Sequence, residues 1–171
     1  MSNRWDKPDI PHKGWICVDV FDVRAAGESV EETNYETCEM CGNERIRFVH
    51  LMRHQEHDGE LRVGCRCAVK MSGDYVTPKK REQALRSRAD RRAKWLARKW
   101  RRSAKGNLWI KAGDYHVVVA AELGQLGKFR GFINNKRGRF LYESEDAARL
   151  ALFDAIEKMK ALEKKRAASS D

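Results

Sequence analysis

The chain has 171 residues, enough for one modest domain or two small lobes, and its 42% apolar content is that of a globular protein. No run approaches the 18 or so apolar residues of a membrane span, so no membrane partner is expected. The formal net charge of +10 is unevenly placed: 13 Lys/Arg stand between Lys79 and Lys105 against only Glu82 and Asp90, leaving the remainder near neutral.

Residues 1 to about 14 contain Pro8 and Pro11 and read as an extended arm, too polar at Met1 to Pro8 for a signal peptide. Gly14 to Val23 reads as a strand offering Trp15, Val18 and Val20 to a core, with Cys17 as a buried small hydrophobe. An acidic approach, Glu28 to Glu36, leads to Cys38. A hairpin follows, Arg45 to Met52 and Leu61 to Val63, joined by a solvated loop from His54 to Glu60. It delivers Cys65 and Cys67 to the start of a short helix that ends at Ser72-Gly73-Asp74.

Pro78 opens a long helix, Lys79 to Lys105, stopped by Gly106-Asn107. Leu85, Ala89, Ala93, Leu96, Ala97, Trp100 and Ala104 share one stripe, which puts Trp100 in the core and leaves Trp95 on the basic face. From Leu108 the period switches to two. Strands are expected at Leu108–Lys111, Tyr115–Glu122, Lys128–Asn134 and Arg139–Tyr142. Ser144 then caps a helix with Glu145 and Asp146 in its first turn and Ala148, Ala151, Leu152, Ala155, Ile156, Met159 and Leu162 as its buried stripe. The expected class is α+β: a zinc-ribbon-like lobe at 1–75, a basic linker helix at 76–106, a sheet-plus-helix module at 107–165 and a disordered tail at 166–171.

Two cysteine pairs carry the sharpest chemistry. Cys38-Glu39-Met40-Cys41-Gly42 has the form of a metal knuckle, and Cys65-Arg66-Cys67 is the second pair. Cys38, Cys41, Cys65 and Cys67 are expected to hold a structural Zn²⁺, with His50 the best substitute should Cys65 not serve. Two disulfides, or four unrelated buried thiols, are the competing readings. Five cysteines with zinc-like spacing suit a reducing cytoplasm. A closed four-coordinate site leaves no position for a substrate water, so the ion is not expected to be catalytic.

The basic helix presents Arg81, Arg88, Arg91, Arg92, Lys94, Arg98, Lys99 and Arg102, with few acids to pair them. Such a row is costly unless a polyanion neutralises it, and nucleic acid is the commonest polyanion. Trp95 among the arginines suits base stacking, or a protein-contact hot spot. Lys128, Arg130, Lys136, Arg137 and Arg139 add cations on the C-terminal sheet.

The knuckle, together with Ile46 to His50 and Leu61-Arg62-Val63-Gly64-Cys65-Arg66-Cys67-Ala68, resembles a zinc-binding module of uncharacterised bacterial and phage proteins. Relatives there end Val-Gly-Ser-x-Cys, so the resemblance implies Cys67 as a ligand ahead of Cys65, and it implies no function. Residues 108 to 160, ending Phe140-Leu141-Tyr142-Glu143-Ser144-Glu145, resemble the sheet-and-helix domains of plant ethylene-response factors and the arm-binding domains of phage integrases.

These readings converge on a non-catalytic zinc protein that binds DNA or RNA, or a nucleoprotein complex, as an accessory or regulatory factor. The alternative is a phage-derived protein that docks on and inhibits a host nucleic-acid-processing complex, such as a defence nuclease. A minor third reading is a metal-dependent nuclease built on His50, His54, His57, Asp58 and Glu60. It lacks the expected ligand pair on a following helix, a phosphate-cradling glycine motif and a nucleophile elbow. No small-molecule substrate is expected.

Overall fold

The structure, a computed structural model, describes residues 3–25 and 27–169. The chain divides into two units, Met1–Asp90 and Arg91–Asp171, with the boundary inside a helix. The class is mixed α+β, with two antiparallel sheets and a C-terminal helix on the second.

The first unit is built on a three-stranded sheet of β1 (Ile16–Asp22), β2 (Phe48–His54) and β3 (His57–Val63), with β2 central. His54 pairs with His57, so the connection shrinks to Gln55-Glu56 and most of the expected polar loop becomes strand. The extra residues are absorbed by a register shift beside Arg53, as a bulge does. His54 and His57 are consequently only partly exposed. Both rings lie against Trp15, at 5.3 and 5.1 Å between centroids. A second shift between Cys17 and Asp19 leaves Val18 as the unpaired residue of β1. Val18 is therefore exposed rather than in the core, whereas Trp15 is buried with its indole N–H donating to the Pro11 carbonyl at 2.6 Å.

Met40, Met52, Leu61, Val63, Ala68 and Met71 complete this core. α1 (Cys65–Ser72) starts at Gly64 and ends at Gly73, whose φ of +70° is the left-handed cap that favours glycine. α2 (Thr77–Ala97) follows, its first N–H groups received by the Asp74 carboxylate from Val76 and Thr77 at 2.8 and 2.9 Å.

α2 stops at Ala97, well short of Gly106, where main-chain and side-chain donors beyond the helix take its last carbonyls. The Trp95 carbonyl accepts from the Arg98 N–H at 3.3 Å and from the Trp100 indole N–H at 3.4 Å, and the Leu96 carbonyl accepts from Arg149. Arg101–Arg102 then forms β4 instead of helix.

The second unit is a five-stranded antiparallel meander of β4, β5 (Leu108–Ala112), β6 (Tyr115–Ala121), β7 (Phe129–Ile133) and β8 (Lys136–Tyr142), in chain order. β7 and β8 turn through Asn134 and Asn135 alone, at φ +48° and +63°. This is the two-residue primed geometry, and β8 starts at Lys136, three residues before the expected Arg139. α3 (Glu145–Ala168) packs on one face, its N-terminus capped by Ser144, whose hydroxyl accepts from the Ala147 N–H at 3.1 Å. Leu150 and Phe153 join Ala148, Leu152 and Ile156 in burial, while Met159 and Leu162 are exposed. Helix continues through Ala168 where a disordered tail is expected, and residues 170–171 lie outside the described set.

The core of this unit includes Trp95, at 5% exposure, together with Leu108, Val117, Val119 and Phe153. Trp95 is therefore not a surface stacking residue. Its indole N–H donates to the Arg149 carbonyl at 2.8 Å, and Trp100, only partly buried, meets it edge-on at 5.4 Å.

Candidate functional site

The knuckle is formed by a backbone reversal at Gly42, which sits at φ +76° while its N–H donates to the Cys38 carbonyl at 2.8 Å. A bridge between Glu36 and Ile46 closes the loop. Gly64 is required beneath it, since a Cβ there would lie 2.9 Å from Ile46 Cγ2. The result gathers Cys38, Cys41 and Cys67, whose Sγ atoms lie within 4.8 Å of one another, as a group that could hold a metal ion. None of the five cysteines is in a disulfide.

The donor set fits a thiophilic ion. A hydrogen bond from the Cys67 thiol, then N–H groups of Gly64, Cys41 and Met40, holds the Cys38 thiol down to about 5 despite burial, so a thiolate is favoured before any metal arrives. Cys67, hydrogen-bonded to Cys38 and buried, is pushed upward correspondingly. Among the described residues no fourth His, Cys, Asp or Glu joins this group.

Cys65 does not join it, which corrects the four-cysteine expectation. Cys65 and Cys67 stand at the first and third positions of α1, and two helical residues point about 200° apart. Cys65 instead meets His50 of β2 and Glu82 of α2, with all three donor atoms within 4.8 Å. His50 is likewise no substitute ligand for the three-cysteine group; it is fully buried in this second group. Burial and the neighbouring Glu82 carboxylate push the Cys65 thiol up to about 11.

The basic helix is less free than its sequence suggests, because the missing acids come from α3. Arg91 pairs with Glu157 at 2.8 Å and Arg92 with Asp154 at 3.2 Å, while Arg102, beyond the helix, reaches Glu145 at 3.3 Å. Arg88 is engaged as well. Arg98 lies over the Trp95 ring at 5.4 Å from its centroid. Lys99 is exposed at the helix end, as is Lys94 within its last turn.

On the sheet, Lys128 pairs with Glu143, and Glu122 receives both Arg130 and Arg137. Arg130 also donates to the carbonyls of Gly138 and Arg139, so it ties β8 to β7 rather than facing a ligand. Lys136 and Arg139 are exposed and line a cavity of about 330 Å³ between β7, β8 and α3, with Ile133, Phe140, Leu152 and Met159.

The strand register locates a face that the sequence reading missed. Opposed residues of neighbouring antiparallel strands share a face. Arg101 opposes Trp109, Trp109 opposes Val118, Val118 opposes Phe132, and Phe132 opposes Arg137. This row crosses all five strands on the side away from α3, since Gly131, one residue from Phe132, faces Leu152 of that helix. Trp109 and Phe132 are only partly buried. Arg101 sits 5.2 Å over the Trp109 ring, and His116 lies beside it at 5.6 Å. The signal was present in the sequence: once Leu108, Ile110 and Ala112 are assigned inward, Trp109 and Lys111 must point outward.

No helix among the described residues is long and apolar enough to cross a membrane. Comparison with known proteins finds no matching family model, no matching curated protein and no matching solved structure.

Proposed function

We propose that this chain is a zinc-containing nucleic-acid-binding protein that acts as an accessory or regulatory factor rather than an enzyme. The reading rests on the row Arg101–Trp109–Val118–Phe132–Arg137, which sets two partly exposed aromatic rings between two arginines on the sheet face away from α3. Aromatic rings on a sheet offer π-faces to unpaired bases, and Arg101 meets the phosphates, Arg137 being held by Glu122. Exposed Lys94, Lys99 and Lys111 extend the positive field. The resemblance of residues 108–160 to DNA-binding sheet-and-helix modules agrees with this assignment. Zn²⁺ on Cys38, Cys41 and Cys67 supplies a cross-link that stabilises the first unit.

The test is fluorescence anisotropy with labelled single- and double-stranded DNA and RNA at several salt concentrations. Tighter binding of single strands, weakening as salt rises, is expected. No binding to any of the four would overturn the reading.

A second reading draws on the apolar cleft beside β8, where Phe140 is 70% exposed. A protein partner inserted there suits an inhibitor of a nucleic-acid-processing complex. Its affinity would respond to Phe140→Ala and only weakly to salt.

A further inference from the structure

Away from the three-cysteine group, β2, α1 and α2 each send one metal-ligating side chain to a single point. His50 comes from the central strand and is completely buried. Cys65 is the first residue of α1, and Glu82 lies in the second turn of α2. His50 Nε2 is 3.5 Å from Glu82 Oε2, and the three donor atoms all lie within 4.8 Å of one another.

The surroundings orient these donors as an outer shell orients metal ligands. The second Glu82 oxygen, Oε1, accepts from Arg86 at 2.8 Å, which fixes the carboxylate and leaves Oε2 facing His50. The bulge in β1 brings Cys17 to the opposite edge of the imidazole, with Sγ 3.8 Å from Nδ1. The same Sγ is 3.5 Å from the Asp19 carbonyl, so the thiol can donate to that oxygen while its sulfur accepts from Nδ1–H. That tautomer leaves the Nε2 lone pair directed at Glu82 and Cys65. The lone pair of a buried imidazole, a carboxylate and a thiol converging in a partly buried site are matched by a cation or a proton between them.

We propose that His50 Nε2, Cys65 Sγ and Glu82 Oε2 form a second divalent-metal site, separate from Cys38, Cys41 and Cys67. One sulfur, one imidazole and one carboxylate match Zn²⁺, and they disfavour Ca²⁺ and Mg²⁺, which take oxygen donors. A thiolate and a carboxylate together neutralise the ion's two charges. Arg81, whose guanidinium donates to the Cys17 carbonyl at 2.9 Å, Lys79 and Arg86 are the nearby cations. Three protein donors leave the fourth tetrahedral position for water or another small donor. The Cys-x-Cys spacing then has a reason: one helix start serves two ions on opposite sides.

Metal content of the full chain, purified with zinc and dialysed against a weak chelator, is the test. About two zinc ions per chain are expected for the parent, and about one each for Cys65→Ser, Glu82→Gln and Cys41→Ser. Glu82→Gln keeps the side chain's shape, and circular dichroism of each variant checks that it is folded. Reconstitution with Co²⁺ adds a second readout. The parent should show two phases of thiolate-to-cobalt absorption, and Cys65→Ser should remove only the weaker one. If the parent holds one ion that Cys65→Ser and Glu82→Gln both leave in place, the second site does not exist. If Cys65→Ser removes a single ion that Glu82→Gln retains, Cys65 belongs to a four-cysteine site and the proposal is again overturned. A single ion lost in Glu82→Gln but kept in Cys41→Ser supports this site and removes the three-cysteine one.

Discussion

The indole N–H of Trp95 donates to the main-chain carbonyl of Arg149 across 2.8 Å, tying the end of α2 to the first turns of α3. Arg149 returns the contact through its guanidinium, which reaches the Leu96 carbonyl and lies 5.0 Å from the Trp100 ring centroid. Trp95→Ala should therefore remove a buried ring and the indole's hydrogen bond to that helical carbonyl. Chemical denaturation should record a loss of about 3–5 kcal/mol. Trp100→Ala, at a partly buried position, should cost less. Equal losses would mean that the deeper burial of Trp95 contributes nothing measurable.

Removal of metal should weaken the first unit selectively. Cys41→Ser removes an exposed ligand and little packing, so its effect reports on coordination. Its melting temperature should fall by roughly 10 °C or more, because metal-binding free energy is folding free energy in so small a unit. Chelator should then have a smaller further effect on the variant than on the parent.

On the sheet face away from α3, Trp109→Ala and Phe132→Ala should each weaken single-strand binding by about 1–3 kcal/mol, with far smaller effects on duplex. Arg101→Ala should lower the log-log salt slope by about 0.7 for single strands. Arg91→Ala, whose guanidinium is committed to Glu157, should leave affinity within about twofold of the parent. A larger loss at Arg91 than at Trp109 would return the contact to the helix.

The second unit should also show an acid limb traceable to one carboxylate. The Arg130 hydrogen bond, assisted by Arg137, holds Glu122 below its ordinary 4.5. A carboxylate depressed in the folded state contributes fully above about pH 4.5, and that contribution is lost as pH falls through the lowered value. Glu122→Gln should reduce the melting temperature near neutrality, with the parent and variant curves converging as the pH is lowered. Curves that stay parallel throughout the acid range would show that the pair does not titrate as described.

Much of the second unit was legible because its signals are local. The alternation of Tyr115, Val117 and Val119, and the cap at Ser144, depend on residues within a few positions of each other. Trp95 was misread because a helical wheel assumes one core for the whole helix. α2 instead changes units at Asp90, and the inward face changes with it. Cys65 was misread because pair counting ignores direction; a helix start turns alternate residues away from each other. Glu82 carried no sequence signal as a ligand, since only the packing of α2 beside β2 brings it to His50. The pairing of Arg91 and Arg92 with α3 was hidden by more than 60 residues of intervening chain.

Because α2 supplies Glu82 to one unit and Trp95 to the other, the two halves cannot be excised as cassettes at the boundary that their composition suggests. A fragment beginning at residue 107 would discard Trp95, Trp100 and β4, and with them one edge of the sheet and the arginine at one end of its aromatic row. A fragment ending at residue 75 would forfeit Glu82 and the Arg86 that aligns it. Recombination that shuffled either half into a new setting would have to carry part of this helix along, so insertions are better tolerated in the Leu123–Leu126 loop, where both leucines are fully exposed.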